Sequence, residues 1–300
     1  MPELPEVETM RRGLACVVGR RITGVHFPRN RVRPISVRPR PDRVATRLTG
    51  RTIAAAQRRG KRVILELGTG RDTEPLWLVI EPRMTGLMLV TDPPSAEHVR
   101  LVLRLGGPQV PSRVIFWDRR GLGTIRLCDA AGLERVCGGD RLGPDGLDVT
   151  GEQLAERLGR SRRAVKVALL DQRAVAGIGN IYAAEILFRT GIDPRSTCRR
   201  LRRDDWQRVA AAARAVLAEA VRHEGSSIGD ETYRTVDNRI GRFQLRHRVY
   251  GRAGQACPRC GAPISRIVQA QRATFFCGGC QHRVGSRSRA PRRPPPPARG

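Results

Sequence analysis

Four cysteines near the end of this 300-residue chain constrain its fold most. Cys257-Pro-Arg-Cys260 and Cys277-Gly-Gly-Cys280 are two CxxC knuckles with sixteen residues between them. Knuckles at that spacing hold one Zn2+ tetrahedrally through four thiolates and leave no open position, so the metal fixes a hairpin and does no chemistry. The stretch between them, Ile264 to Phe276, reads as two strands and a turn, with Gln271 and Arg272 at its tip. Cys16, Cys128, Cys137 and Cys198 belong to no motif and are expected to be small core residues. A disulfide framework is not expected in an intracellular chain of this size.

Charge narrows the partner. The chain carries 56 basic and 28 acidic residues, a net charge of +28 and a pI near 11.6, the electrostatic footprint of a nucleic-acid binder. Only two of the basic residues, Lys61 and Lys166, are lysines. Arginine serves as well for surface charge but cannot give up its proton, so a surviving lysine is informative. Lys61 opens the apolar run Arg62 to Leu67, and Lys166 lies on a short helix before a glycine-rich turn. An aromatic content of 4 % argues against a stacking platform for single strands. No apolar stretch reaches the roughly 18 residues that span a membrane, and the acidic opening is unlike a signal peptide. An intracellular, soluble protein is expected.

Short β-rich runs separated by Gly, Pro and Asp fill residues 20 to 130: Val63 to Leu67, Leu76 to Ile80, Leu87 to Val90, Val99 to Leu105, Val114 to Trp117 and Thr124 to Leu127. That is the pattern of a sandwich or barrel. From about 150 the spacing turns helical, over Glu152 to Leu158, Arg162 to Leu170, Asn180 to Phe188 and Asp204 to His223. The glycine-rich stretch after Cys137 reads as a hinge, Ser226 to Arg242 as a loop, and Ser286 to Gly300 as an Arg/Pro tail unable to pack.

At the N-terminus, Met1-Pro2-Glu3-Leu4-Pro5-Glu6-Val7-Glu8 supports two readings. An initiator Met before Pro is normally removed, which leaves Pro2 as a secondary amine with a pKa of roughly 8, against about 10.4 for lysine. Such an amine attacks an aldehyde-level carbon to give an iminium, a strong electron sink, and a partly buried Glu3 could act as acid and base. The second reading is a capped helix, since Leu4, Val7, Met10, Leu14 and Val17 recur at helical spacing before Gly19. Similarly, Ala176-Gly177-Ile178-Gly179-Asn180 could offer free helix N–H groups to a phosphate at Asn180, or be a plain interhelical turn.

Together the opening Pro2 to Glu8, the run Gln57-Arg58-Arg59-Gly60-Lys61, the turn Gly177 to Ala183 and the segment Gln271 to Cys277 resemble the formamidopyrimidine-DNA glycosylase family, within the wider group that includes endonuclease VIII. The resemblance spans residues 2 to 282, with four separated motifs and the zinc spacing in order. It implies an α+β multidomain protein: an N-terminal β-sandwich catalytic domain over 2–136, a hinge over 137–150, a helix-two-turn-helix domain with a lesion loop over 151–243 and a four-cysteine zinc ribbon over 244–285, to which the Arg/Pro composition of 286–300 adds a disordered tail. It also implies an activity: excision of 8-oxoguanine and formamidopyrimidines from damaged double-stranded DNA, then strand cutting by β,δ-elimination.

Carried over, Pro2 is the nucleophile and Glu3 the acid and base; Lys61 acts beside the lesion, Lys166 lines the DNA cleft, and Asn180 and Arg272 clamp phosphates. Met84, Arg120 and Leu122 fill the gap left by the flipped nucleotide. One structural Zn2+, a monomer and a cytoplasmic, nucleoid-associated location complete the expectation. The sequence departs from the family in three places. Leu122 stands where an aromatic residue is usual, Glu81-Pro82-Arg83-Met84 replaces a His-Leu-Gly-Met pattern, and the loop from Ser226 to Phe243 is slightly long. An aliphatic wedge still unstacks a base step. The alternatives are an endonuclease VIII-like preference for oxidised pyrimidines and a noncatalytic zinc-ribbon nucleic-acid-binding protein.

Overall fold

The computed structural model describes residues 2–29, 33–68, 74–228 and 233–285. The expected tail, 286–300, and the stretch 229–232 of the loop lie outside them.

The first helix, α1 (Leu4–Gly13), forms where the sequence places it. The Glu6 side chain accepts the Glu3 N–H at 2.8 Å, and Pro5 sits in the first turn. A 3-10 turn, Leu14–Val17, continues the apolar stripe to Gly19, whose φ is +85°. All five stripe residues are fully buried, but in two different cores. Leu4 packs into the helical lobe, whereas Val7, Met10, Leu14 and Val17 pack into the sandwich.

Two sheets make the sandwich. One is ordered β1 (Ile22–His26), β7 (Val99–Leu105), β8 (Arg113–Asp118), β6 (Gly86–Leu89); the other β2 (Ser36–Arg38), β9 (Thr124–Cys128), β5 (Leu76–Glu81), β4 (Arg62–Leu67), β3 (Ile53–Arg59). Neighbours pair antiparallel except β2 with β9. The chain crosses between sheets from β5 to β6 and from β8 to β9. Because Glu81 pairs with Thr124 and Gly86 with Asp118, the connecting loops 82–85 and 119–123 leave the same edge. Three strands and two helices, α2 (Pro41–Leu48) and α3 (Ala130–Cys137), exceed the sequence reading.

Beyond residue 137 the expected hinge is packed, with Leu142 buried among Ile64, Val79, Leu133, Cys137 and Ala176. The helical lobe follows as α4 (Gly151–Leu158), α5 (Val165–Leu169), α6 (Asn180–Thr190) and α7 (Arg203–Arg222), around a core that includes Tyr182, Trp206 and Leu217. Tyr233 and Val236, expected in that lobe's loop, belong instead to the sandwich core. The zinc hairpin, β10 (Ile264–Gln269) and β11 (Arg272–Cys277), turns through Ala270 and Gln271, both at positive φ, and docks on Ala184 and Phe188 of α6. Among the described residues no helix is long and apolar enough to cross a membrane.

Candidate active site

The glycine turn before α6 is shaped for Glu3. Both residues are buried at the start of α1, Pro2 and Glu3, the latter 2 % exposed. The Glu3 carboxylate accepts the backbone N–H of Ile181 at 3.0 Å and of Tyr182 at 3.4 Å, and so occupies the positive end of α6. A Cβ on Gly179 would lie 2.3 Å from the Glu3 carboxyl carbon, and one on Gly177, at φ +98°, would strike Leu4 at 2.4 Å. Leu4 N–H in turn donates to the Gly177 carbonyl at 3.0 Å. Two of the first N–H groups of α6, those of Ile181 and Tyr182, are thus taken by a side chain from the start of the chain and are not open to a phosphate.

Cations from three parts of the chain converge here. Lys61 sits half-buried on the two-residue turn joining β3 to β4. Burial holds its ammonium below the ordinary lysine range, opposed by the Glu3 charge and reinforced by Arg272. Arg272 is exposed at the hairpin tip and electrostatically close to both lysines. Lys166, expected to line the DNA cleft, lies within the protein. Its side chain is fully buried, and Nζ donates to Asn180 Oδ1 at 2.6 Å, Thr274 Oγ1 at 2.7 Å and the Ala273 carbonyl at 3.3 Å. Asn180 Nδ2 donates to the same carbonyl at 3.0 Å. Lys166 therefore ties the start of α6 to the zinc hairpin. Burial first, and then the Arg272 charge, push its pKa down to about 8 against the opposing pull of Glu3.

Glu6 is the residue the sequence reading missed, having passed as an ordinary first-turn acid. It is 1 % exposed and spans two elements. One oxygen accepts Tyr182 O–H at 2.5 Å and Ser226 N–H at 2.8 Å, the other the Glu3 N–H. Burial raises its pKa, and the neighbouring Glu3 adds to the rise. Behind it, Ser226 Oγ lies 3.0 Å from His247 Nε2, and burial lowers that imidazole to about 4. Only the long-range contacts betray this network.

On the sandwich edge, Asp118 is fully buried and organises both loops. It accepts Thr85 O–H at 2.5 Å, Arg120 N–H at 3.2 Å and Gly123 N–H at 2.7 Å, while Arg120 N–H also reaches Thr85 Oγ1 at 3.0 Å. That brings Met84 and Arg120, both exposed, to adjacent positions on neighbouring loops, with Leu122 half-buried beside them. Far along the hairpin, the sulfurs of Cys257, Cys260, Cys277 and Cys280 all lie within 4.8 Å of one another. Tetrahedral zinc at about 2.3 Å from each sulfur needs them about 3.8 Å apart, so the site fits one structural ion. Of the remaining cysteines, Cys137 and Cys198 are buried and Cys128 is half-buried; Cys16 is exposed, which corrects its expected place in the core.

A buried carboxylate next to the second residue, within electrostatic reach of lysines from both lobes and beside a zinc hairpin on a strongly basic chain, fits the class of DNA glycosylases. Comparison with known proteins narrows the class. The formamidopyrimidine-DNA glycosylase N-terminal domain matches residues 1–125, the H2TH domain of the same enzyme 142–232, and the zinc finger found in FPG and IleRS 254–283. The chain is 41 % identical over 290 residues to the formamidopyrimidine-DNA glycosylase of Chloroflexus aggregans, covering 94 % of this chain and 98 % of the relative. Over 297 residues it is 41 % identical to that of Thermomicrobium roseum, covering 94 % and 99 %. The crystal structure of the Thermus thermophilus protein is similar with a TM-score of 0.80 at 37 % identity, covering 93 % of this chain and 98 % of that one. A Lactococcus lactis variant in complex with Fapy-dG-containing DNA gives 0.80 at 31 %, covering 94 % and 100 %. The chain belongs to the formamidopyrimidine-DNA glycosylase family.

Proposed function

We propose that this protein is a base-excision-repair enzyme that removes oxidised purines from duplex DNA and cuts the strand, with Pro2 and Glu3 as its reacting groups. The observation that carries the reading is the seat of Glu3, fixed by the N-terminus of α6 beside the buried Pro2. An acid shuttling protons must be held where the sugar will lie, and a helix terminus does so at no cost in flexibility.

The Pro2 nitrogen, freed of Met1, attacks C1′ of the flipped nucleotide; the bond from C1′ to the damaged base breaks, the base leaving with the electron pair and taking up the proton that the amine gives up, and Glu3 protonates the ring oxygen as the C1′–O4′ bond opens to the iminium. The resulting iminium acidifies C2′; loss of that proton expels the 3′ phosphate, and a second elimination expels the 5′ phosphate. Lys61 acts in base removal, Asn180 and Arg272 hold the bent backbone, and Met84, Arg120 and Leu122 fill the vacated stack. Lys166 serves by holding Asn180 and the hairpin rather than by touching DNA. Relatives in complex with Fapy-dG and carbocyclic 8-oxo-G DNA support the purine preference. On this reading residues 2–136 are the catalytic domain, 137–150 a hinge, 151–243 the helix-two-turn-helix domain with its lesion loop and 244–285 the zinc ribbon, with Tyr233 and Val236 of the loop packed into the sandwich core. The protein acts as a monomer on cytoplasmic, nucleoid DNA.

Borohydride trapping on 8-oxoguanine, formamidopyrimidine, dihydrouracil and abasic duplexes tests the scheme. The mature protein should crosslink to the purine lesions and the abasic site, whereas a form retaining Met1, its amine acylated, should bind DNA and trap nothing. Strand cutting by a verified Met1-bearing form would refute Pro2, and preferential trapping on dihydrouracil would refute the purine preference.

A further inference from the structure

Arg58 lies on β3 just before the turn that carries Lys61, and its side chain is 8 % exposed. Every nitrogen of its guanidinium is engaged. Nε donates to Glu8 Oε2 at 3.0 Å, Nη2 to Asp145 Oδ1 at 3.0 Å, and Nη1 to both Asp145 Oδ2 at 2.6 Å and the Gly60 carbonyl at 3.0 Å. Glu8 belongs to α1. Asp145 belongs to the segment before α4, which bridges to Ala176 through Gly146 N–H on the Ala176 carbonyl and Ala176 N–H on the Pro144 carbonyl, both at 2.9 Å. One buried cation thus joins the helix that follows Glu3, the turn of Lys61 and the segment bridged to Ala176 beside the glycine turn.

Two carboxylates would suffice for a strut between lobes. The bond to Gly60 does something further, because it fixes the carbonyl of the residue preceding Lys61, on a turn where Gly60 sits at φ +56° and a Cβ would meet Ala176 at 3.2 Å. Lys61 itself makes no hydrogen bond or ion pair among the described residues, so its place is inherited from that turn. We propose that Arg58 is a positioning residue for Lys61, so that the lysine reaches its working place only when Glu8 and Asp145 have brought the two lobes onto the same guanidinium. This rests on Lys61 acting in base removal.

The test is single-turnover excision of 8-oxoguanine and cutting at a preformed abasic site, for Arg58→Lys, Lys61→Arg and the pair together. A lysine at 58 keeps the charge but lacks the fork that serves three acceptors at once. Since a displacement of about 1 Å can cost about 100-fold in rate, Arg58→Lys should lower excision by about tenfold or more and abasic cutting by less than about threefold, the same split as Lys61→Arg. The pair together should be no slower than the slower single variant, because both changes remove one shared contribution. Equal losses on both substrates, or independent effects that multiply, would reduce Arg58 to a strut and overturn the proposal while leaving Lys61 in its role. A silent Lys61→Arg overturns both. Should Arg58→Lys fail to fold, Asp145→Asn, which keeps the shape and one acceptor, must reproduce the split at about threefold.

Discussion

Substituting Gly179 by alanine isolates the seat of Glu3 from everything around it. Gly179 has φ −132° and ψ −158°, extended backbone that alanine adopts freely, so the change brings no backbone strain. It brings a methyl group 2.3 Å from the Glu3 carboxyl carbon and 2.4 and 2.6 Å from its oxygens. Carbon atoms rest about 3.5 Å apart, so the carboxylate must recede by about 1.2 Å. Two consequences follow. Overpacking of this kind costs about 1 to 3 kcal/mol of stability. The bonds from Ile181 and Tyr182 N–H are lost or lengthened, and a reacting group about 1 Å out of place costs about 100-fold in rate. Single-turnover excision from an 8-oxoguanine duplex should therefore fall about 100-fold, while affinity for a duplex carrying an unreactive abasic analogue stays within about threefold of the parent. Gly139→Ala, where a Cβ meets nothing within 4 Å, is the control and should leave both unchanged. A folded Gly179→Ala protein that excises at the parent rate would show that the position of Glu3 on α6 is irrelevant to the chemistry.

Zinc and pH provide two further tests. Cys277→Ser, or strong chelation, should release the hairpin carrying Arg272 and Thr274 and weaken lesion-DNA binding, with the sandwich still folded; metal analysis of purified protein should find one zinc per chain, and its absence would refute the ribbon. Lys166 falls from an ordinary 10.5 to about 8 in the fold, so between those values the unfolded chain holds a proton that the folded one does not. Stability should accordingly rise with pH across that window relative to a Lys166→Met variant, measured by urea unfolding at about pH 7.5 and about pH 10; parallel curves would mean that the lysine is not desolvated.

What the sequence disclosed depended on how local the cause was. The zinc ligands and their hairpin are spaced within one segment, and α1, α4 and α7 carry stripes that a reader can follow. Strand β3 was hidden because Ile53-Ala-Ala-Ala-Gln-Arg-Arg has one β-branched residue and is held in place by β4. Helix α2 was hidden by its arginines and by Pro41, which marks a start only once the helix is known. Pro2, Glu3 and Lys61 could be singled out by chemistry, since amines and acids announce themselves. Their surroundings could not: the hold of α6 on Glu3, the burial of Lys166 and the span of Glu6 between Ser226 and the Glu3 N–H all join residues far apart in sequence.

The division of α1 between two cores has a consequence during synthesis. Leu4 waits for partners such as Ile178 and Tyr182, and Glu3 for the N–H groups of Ile181 and Tyr182, so the start of α1 finds its place only after α6 has been made. A nascent chain carrying the whole sandwich still has no assembled centre, which spares the genome from a half-made strand cutter. The same order leaves a period in which the peptide bond before Pro2 stands open to an aminopeptidase.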